Sequence, residues 1–205
     1  MKLAQLDEFL HVLTHRGGHI DLEYNDHHSV YSTVKECEED YGWPHNFWAS
    51  EDERAVAIET NTLWEFHLRG TEKDFTVRAS SLHACIRTAV SWSLGMVGKA
   101  IDVDEFASEL ETFVKSLLKG EHTNAYIRYN EHHMNELPAK DAVFLDFCGK
   151  LAGGDAVMEE IITQNRLCKF IWYPSTQVGC YSVVSSTLQR CVDYVEDMRH
   201  KGHYK

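Results

Sequence analysis

The 205-residue chain carries 32 acidic and 20 basic side chains, giving a formal net charge of −12, and 43% of its residues are hydrophobic. This composition predicts a packed globular protein, and the acidic excess disfavours direct nucleic-acid binding, which needs clustered Lys and Arg. The sequence contains no run of roughly 18 apolar residues, so it predicts no membrane span. It has six cysteines but no CxxC pair and no secretion signal, which predicts reduced thiols in a cytoplasm.

The first half of the sequence has the periodicity of alternating helices and strands. Residues 19–24 alternate apolar and acidic side chains, which predicts a strand with one solvated face. Ser50 predicts a helix start, although residues 55–59 also alternate as a strand would. The predicted elements are, in order, a helix over 3–13, a strand over 19–24, short helices over 33–42 and 51–61, strands over 63–69 and 75–79, and a helix that begins at Ser80 or Ser81.

The second half gives a similar order. Asp102 and Glu105 form a predicted capping pair for the first helix, and Pro138 opens a helical segment to about Leu151. The predicted elements are a helix over 106–117, a strand over 125–129, helices over 138–151 and 155–165, strands over 167–173 and 181–184, and a final helix that begins at Ser185 or Ser186.

Several sequence blocks occur twice in the same order. The matching pairs are Tyr24-Asn25-Asp26-His27-His28 with Tyr129-Asn130-Glu131-His132-His133, Asn61-x-Leu63-x-x-Phe66 with Asn165-x-Leu167-x-x-Phe170, residues 75–86 with 181–192, and Asp7-Glu8-Phe9 with Asp104-Glu105-Phe106. The displacement is close to 105 residues in three of the four pairs. The pattern predicts a tandem duplication of an α+β unit of about 100 residues, with units 1–98 and 99–205 related by a pseudo-twofold axis. Each unit would contain a helix, a strand, helices, a β-hairpin and a helix.

The repeated His pairs allow three interpretations. In the first, His28 and His133 bind a transition metal with Asp26 and Glu131, since histidine and carboxylate ligands suit zinc, iron or manganese. In the second, the repeats only mark equivalent fold positions, where the tyrosines pack at a strand end and the histidines bond buried carbonyls. In the third, the two copies form a ligand or partner surface where the units meet. That surface would comprise Tyr24, His27, His28, Tyr129, His132 and His133.

Two other features have a structural and a functional interpretation. Trp43 and Trp48 flank Pro44 in an aromatic loop, which is either a plug in the core or an exposed hot spot for a protein partner. Cys85 and Cys191 lie on apolar helix faces, which predicts small core residues. No nucleophile or phosphate-loop motif occurs, and we therefore expect no enzyme among the common motif-bearing classes.

The hairpin of residues 63–69 and 75–80, followed by the helix from Ser81, resembles the strand-strand-helix end of bacteriophage accessory domains of the α-β-α sandwich type. This resemblance covers about 30 residues in each half and brings no catalytic residue with it. It implies a protein of an infected host's cytosol that binds a host protein, for example to disable a defence system.

Three functions follow as hypotheses. The first is a non-enzymatic, acidic protein that binds a host protein. The second is a metal-dependent hydrolase or nuclease that uses the His pairs. The third is a protein that binds a small ligand or nucleotide at the seam between the two units.

Overall fold

A computed structural model describes nine segments of the chain: residues 2–15, 18–26, 48–70, 74–97, 101–118, 123–130, 150–164, 166–174 and 179–203. These segments form an α+β fold of helices packed on a mixed sheet. The helices are α1 (Ala4–Thr14), α2 (Glu51–Thr60), α3 (Leu82–Val97), α4 (Ala107–Leu117), α5 (Asp155–Gln164) and α6 (Leu188–His200), with a short 3₁₀ turn at Val103–Glu105.

Within the described residues the strands form one seven-stranded sheet in the order β3-β2-β1-β4-β6-β7-β5. Neighbouring strands are antiparallel except for β5, which runs parallel to β7. The central pair joins β1 from the first predicted unit to β4 from the second, so the sheet is continuous across both. The strands are β1 (His19–Asp26), β2 (Leu63–Arg69), β3 (Phe75–Ala79), β4 (Thr123–Tyr129), β5 (Lys150–Leu151), β6 (Cys168–Tyr173) and β7 (Tyr181–Ser185).

Helices cover the two faces of the sheet unequally. Helices α1, α3, α4 and α6 cover one face and enclose the main hydrophobic core with its inward-facing strand residues. On the opposite face, α2 and α5 lie only at the two ends of the sheet, packing through Ala57 onto Leu63 and through Val157 and Ile161 onto Val184. Among the described residues, no apolar cluster packs on the middle of this opposite face.

The strand registers are the same in the two halves. In the first half Phe66 pairs with Leu22 on one side and Val77 on the other, while in the second Phe170 pairs with Ile127 and Val183. Leu22 also pairs with Ile127 at the centre of the sheet. One buried row of side chains thus crosses six strands as Val77, Phe66, Leu22, Ile127, Phe170 and Val183. Each half of the row has the same residue types in mirrored order, apart from the Leu and Ile at its centre.

The buried cysteines repeat this correspondence. The Cys85 thiol lies 3.5 Å from the Val77 carbonyl oxygen, and the Cys191 thiol lies 3.7 Å from that of Val183. Both cysteines are fully buried, as their places on apolar helix faces predict. Burial raises the pKa of the Cys85 thiol well above its usual value, so this residue is a small hydrophobic group and not a nucleophile.

The helices are capped across the two halves. Asp7 in α1 accepts hydrogen bonds from the backbone N–H groups of Leu188 at 2.6 Å and Gln189 at 3.2 Å, at the start of α6. In the other direction, Glu111 in α4 accepts the Leu82 N–H at 3.0 Å, at the start of α3. Each half therefore contributes a carboxylate to the N-terminus of the other half's last helix, where unpaired N–H groups favour negative charge.

The position of these carboxylates corrects one predicted repeat. Asp7-Glu8-Phe9 lies inside α1, whereas Asp104 and Glu105 lie in the 3₁₀ turn and Phe106 precedes α4. These two blocks therefore do not occupy equivalent positions. The buried stripes of the two helices match instead as Leu6, Phe9 and Leu13 in α1 with Leu110, Phe113 and Leu117 in α4.

Three local predictions also need correction, and a fourth is confirmed. The predicted strand over 19–24 is too short, because Asn25-Asp26 continues β1 and Asn25 pairs with Leu63 and Asn124. The cap of α6 is Thr187, whose hydroxyl accepts the Arg190 N–H, and not Ser185 or Ser186. Leu151 belongs to a short strand and not to a helix. The helical interpretation of residues 51–61 is confirmed over its first ten residues, because the Ser50 hydroxyl caps α2 and Asn61 ends it with a left-handed φ of 54°.

Strands β3 and β7 are each paired with a short parallel segment on the side that faces away from the centre of the sheet. The Ala49 N–H donates to the Arg78 carbonyl at 2.8 Å beside β3, and the Ala152 N–H donates to the Val184 carbonyl at 2.9 Å beside β7. Trp48 bridges to Arg78 in the first case, and β5 pairs with β7 in the second. These segments cover backbone groups that would otherwise be exposed at a sheet edge.

Candidate functional site

The middle of the face opposite the core carries a concentration of ionisable side chains. Because side chains alternate along a strand, every second residue of the central strands points to this face. Two rows result from the strand registers. One row runs Thr76, His67, Asp21, Arg128, Lys169 and Val184, and the other runs Arg78, Glu65, Glu23, Tyr126, Ile171 and Ser182. We call Asp21, Glu23, Glu65, His67, Arg78 and Arg128 the charge cluster.

Ion pairs link the members of the charge cluster. Arg78 Nε lies 2.7 Å from Glu65 Oε2, and His67 Nε2 lies 3.4 Å from the same oxygen. Arg128 Nε lies 3.4 Å from Asp21 Oδ1. The other imidazole nitrogen of His67, Nδ1, lies 3.0 Å from the Thr76 hydroxyl. The contacts form two neighbouring groups, one on β3 and β2 with Glu65 at its centre, and one of Arg128 with Asp21 across β4 and β1.

Most of the charge cluster is buried. Asp21, Glu65, His67 and Arg78 each expose less than a tenth of their surface, whereas Glu23 and Arg128 are half-buried. The prediction that the acidic residues of β1 lie on a solvated face is therefore wrong for Asp21. Removing several charges from water costs free energy even when they are paired, so a buried charge network needs a reason beyond stability.

The cluster shifts the pKa values of its two facing glutamates in opposite directions. Glu23 and Glu65 are direct cross-strand partners. Burial raises the pKa of Glu23, and the nearby Glu65 and Asp21 raise it further. Burial also opposes ionisation of Glu65, but the hydrogen bond from His67 and the charge of Arg78 outweigh it and lower the pKa of that carboxyl. Opposite shifts in neighbouring carboxyl groups are a recurring property of functional sites.

The second half of the chain shows that the fold does not require these charges. By strand register, the position of His67 corresponds to Ile171 and that of Arg78 corresponds to Val184. Ile171 is 7% exposed and Val184 is fully buried, so both fill their places as apolar residues. Corresponding positions of the sheet thus hold apolar side chains in the second half and ionisable side chains in the first.

An aromatic group adjoins the charge cluster on β4 and β6. Tyr126 and Tyr173 meet edge to face with ring centroids 6.1 Å apart, and the Arg128 guanidinium carbon lies 5.2 Å from the Tyr126 centroid. The amide nitrogen of Asn124 donates to the Tyr126 hydroxyl at 2.9 Å. Tyr173 is 36% exposed, which leaves part of its ring open to solvent. We call Tyr126 and Tyr173 the aromatic rim.

The structure places three of the sequence-predicted site residues in packed positions. Tyr129 is 1% exposed and donates its hydroxyl hydrogen to Asp7, and burial raises its pKa well above the ordinary value. Tyr24 is 5% exposed and packs on Trp64 with ring centroids 4.9 Å apart. Trp48 is 9% exposed and packs in a small cluster with Ala57 and Leu63. This burial agrees with the interpretation of these residues as packing groups and leaves little surface for a partner to contact.

The remaining predicted site residues lie outside the described residues, apart from Asp26 at the end of β1. They are His27, His28, Trp43, Glu131, His132 and His133. Among the residues that the structure does describe, no group of three or more His, Cys, Asp or Glu side chains is arranged to hold a metal ion. The metal interpretation of the His pairs stays a prediction.

The alternation along two strands is a sequence signal for the charge cluster. Two neighbouring strands, β1 and β2, each carry ionisable residues at alternate positions, Asp21 with Glu23 and Glu65 with His67. In β1 this alternation predicts a solvated face, and in β2 it predicts a strand. Because the two strands are adjacent, these side chains converge on one patch, and burial of that patch could not be deduced from the alternation.

Comparisons with protein-family models, with curated proteins and with solved structures found no match for this chain. Among the helices of the described residues, none combines the length and the apolar character that crossing a membrane requires.

Proposed function

We propose that the protein binds a small polar ligand on the face of the sheet opposite the core, at the seam where β1 meets β4. The charge cluster and the aromatic rim would form the site. The observation that carries this proposal is the contrast between His67 and Arg78 in one half and Ile171 and Val184 at the corresponding positions of the other. Charges that the fold can replace by apolar side chains are best explained by what they bind.

Tandem duplication supports this interpretation, and we propose it as the origin of the chain. The identical registers in the two halves, the matching cysteine contacts and the reciprocal carboxylate caps all support one ancestral unit present twice. A duplicated unit provides a second copy that maintains the fold, so that the first copy can acquire charged residues on its strands. The binding site would then consist of residues that differ between the two copies, and not of the repeated His motifs.

A replacement of three residues by their second-half counterparts tests the proposal. Glu65→Lys, His67→Ile and Arg78→Val together convert the first-half positions into the residues found at 169, 171 and 184. Because His67→Ile and Arg78→Val replace buried ionisable groups by apolar ones, and Glu65→Lys places an ammonium group opposite Glu23, we expect the free energy of unfolding to change by less than about 1 kcal/mol or to rise. Native mass spectrometry after incubation with a small-molecule cell extract should show a bound mass on the original protein and none on the triple variant.

Two results would contradict this proposal. One is a triple variant that unfolds, which would show that the charges are needed for the structure. The other is an equal pattern of bound masses on both proteins, which would show that the cluster binds nothing. A control with Lys201→Gln, a change of one exposed charge at the end of α6, should retain the bound mass.

A second candidate function is acid–base catalysis by Glu23 and Glu65. The specific observation in its favour is that these facing carboxyl groups have pKa values shifted in opposite directions. Two carboxyl groups, one acting as a general acid and the other as a base or nucleophile, cleave glycosidic bonds in many enzymes. Release of nitrophenol from a panel of nitrophenyl glycosides, abolished by Glu65→Gln, would support this function, and no release above a buffer blank would exclude it for those substrates.

A further inference from the structure

Two histidines on α1 have the spacing of a metal chelate. His11 and His15 are four residues apart, and His15, just after the last residue of α1, keeps right-handed helical backbone angles. Side chains at positions i and i+4 lie above one another on one helix face, with Cβ atoms roughly 5–6 Å apart. The two imidazole rings accordingly lie edge to face, with centroids 5.8 Å apart. The helical backbone thus brings two metal-binding groups together.

The separation of the rings is close to what a single ion requires. A transition-metal ion binds an imidazole nitrogen at about 2.0–2.1 Å, so two rings on one ion have centroids roughly 5 Å apart. His15 is exposed and His11 is half-buried, so the pair lies at the surface. A small rotation of the exposed His15 side chain is therefore enough to let both rings contact an ion that arrives from solvent.

Neither hydrogen bonding nor the needs of the fold account for His11. Its Nδ1 atom is buried and makes no hydrogen bond with any described residue, whereas the ring nitrogen of a structural histidine is normally bonded. By the buried stripes that α1 and α4 share, His11 corresponds to Lys115 in the second half. The equivalent helix therefore forms without an imidazole at this position.

The groups around the two histidines are compatible with a bound cation. Glu8, one turn before His11, forms an ion pair with Arg166, whose Nη2 lies 3.4 Å from Glu8 Oε2, so the carboxylate offsets the guanidinium charge. Burial and then the charge of Arg166 lower the pKa of His11, which favours the neutral imidazole that metals bind. Among the described residues, no third His, Cys, Asp or Glu completes a ligand group. An ion at this position would therefore have two protein ligands.

From this geometry we propose that His11 and His15 bind one divalent transition-metal ion, with water at its remaining coordination positions. Imidazole nitrogens favour Cu²⁺, Ni²⁺ and Zn²⁺ over Mg²⁺ and Ca²⁺, which prefer oxygen ligands. Of these ions, Cu²⁺ should bind most tightly. Helix α1 lies in the layer that covers the core, across the sheet from the charge cluster. The metal site therefore goes beyond the proposed function and does not depend on it.

Backbone amide NMR spectra recorded during addition of CuCl₂ test where the ion binds. Cu²⁺ is paramagnetic and broadens the signals of nearby nuclei, so the signals of residues 8–15 should be among the first to disappear. Isothermal titration calorimetry with ZnCl₂ then measures affinity. Loss of a group that only orients a metal ligand typically costs about 10–100-fold in affinity, so loss of either ligand should weaken Zn²⁺ binding at least about tenfold. The two variants are His11→Lys, which introduces the second-half residue, and His15→Gln.

Two further variants act as controls. Arg166→Gln should tighten Zn²⁺ binding a few-fold, because it removes a repelling charge and releases Glu8 from its ion pair. His203→Gln removes an exposed histidine beyond the end of α6 and should change neither the affinity nor the order in which signals broaden. Melting temperatures without metal check that each variant is folded. Excess Zn²⁺ should raise the melting temperature of the original protein more than that of His11→Lys or His15→Gln.

Three results would overturn the inference. The first is that the signals of residues 8–15 stay sharp while Cu²⁺ broadens signals elsewhere in the chain. The second is that His11→Lys and His15→Gln bind Zn²⁺ as tightly as the original protein. The third is that only one of these two variants loses affinity, because a single histidine and not a chelating pair would then hold the ion.

Discussion

Substitution of Asp7 by alanine would show how strongly the two halves depend on each other. Asp7 is 5% exposed and accepts three hydrogen bonds, from the Tyr129 hydroxyl and from the N–H groups of Leu188 and Gln189. Alanine leaves two of these donors buried without a partner, because Tyr129 is 1% exposed and Leu188 is fully buried. Gln189 is half-buried, so water can replace the third hydrogen bond.

The expected loss can be worked out from these contacts. Each buried donor left unpaired costs about 1–3 kcal/mol, so the two donors should together lower the free energy of unfolding of Asp7→Ala by about 2–6 kcal/mol. Glu111→Ala is the matched control, since Glu111 caps α3 in the same way but its side chain is 17% exposed. Loss of a solvated cap costs about 1 kcal/mol. The difference between the two variants in the free energy of unfolding measures how much burial strengthens the Asp7 cap on α6.

Urea unfolding followed by tryptophan fluorescence provides the measurement, because Trp64 and Trp172 are both buried in the core. If the free energy of unfolding depends on urea concentration with the same slope in the variant as in the original protein, the substitution has changed stability and not the compactness of the folded or unfolded state. A loss for Asp7→Ala no greater than that for Glu111→Ala would refute the reasoning, because it would mean that the buried donors find other partners.

Three further predictions concern positions with distinct physical roles. Burial raises the pKa of Asp7 above its ordinary 3.8, with the hydrogen bonds from Tyr129, Leu188 and Gln189 acting against it, so the folded protein holds this proton more tightly than the unfolded chain. The stability of the original protein relative to Asp7→Asn should therefore fall as pH rises from 3.8 through the raised pKa and stay constant above it, and unfolding curves at several pH values that show no change or a rise would contradict this. Cys191→Asp places a charge at a fully buried site and should abolish cooperative unfolding, whereas Cys180→Asp changes an exposed cysteine and should retain it, as near-ultraviolet circular dichroism will report. Asn61→Val forces a β-branched residue to a φ of 54° and should cost about 1–2 kcal/mol, whereas Asn61→Gly should cost almost nothing, and equal melting temperatures for the two would contradict the assigned conformation.

Sequence periodicity predicted most of the described secondary structure for identifiable reasons. The strands on either side of Gly70 alternate apolar and polar residues, and α3 begins at Ser81, whose hydroxyl accepts the Ala84 N–H at 3.2 Å. These are local signals that depend on a few neighbouring residues. The end of β1 was misjudged because Asn25-Asp26 favours a turn in isolation, whereas pairing with β2 and β4 keeps the backbone extended.

The arrangement of the halves and the site itself depend on distant contacts. A repeat in the sequence does not specify whether its copies pair edge to edge or pack face to face, and the β1–β4 pairing decides this. Asp7-Glu8-Phe9 was aligned with Asp104-Glu105-Phe106 because the two triplets are identical. The correct alignment follows from the spacing of buried Leu and Phe residues, which α1 and α4 share. Charged residues such as Asp21 and Glu65 could be located on one face from the alternation, but their burial follows from packing between strands far apart in sequence.

The reciprocal caps have a consequence for synthesis on the ribosome. When the first half of the nascent chain has emerged, the start of α3 still lacks Glu111, and β1 has β2 on one side but no β4 on the other. An uncovered strand of this kind can pair with other chains. The first half therefore completes its structure only after Tyr129 has left the exit tunnel, and a chaperone that binds during this interval would raise the yield of folded protein.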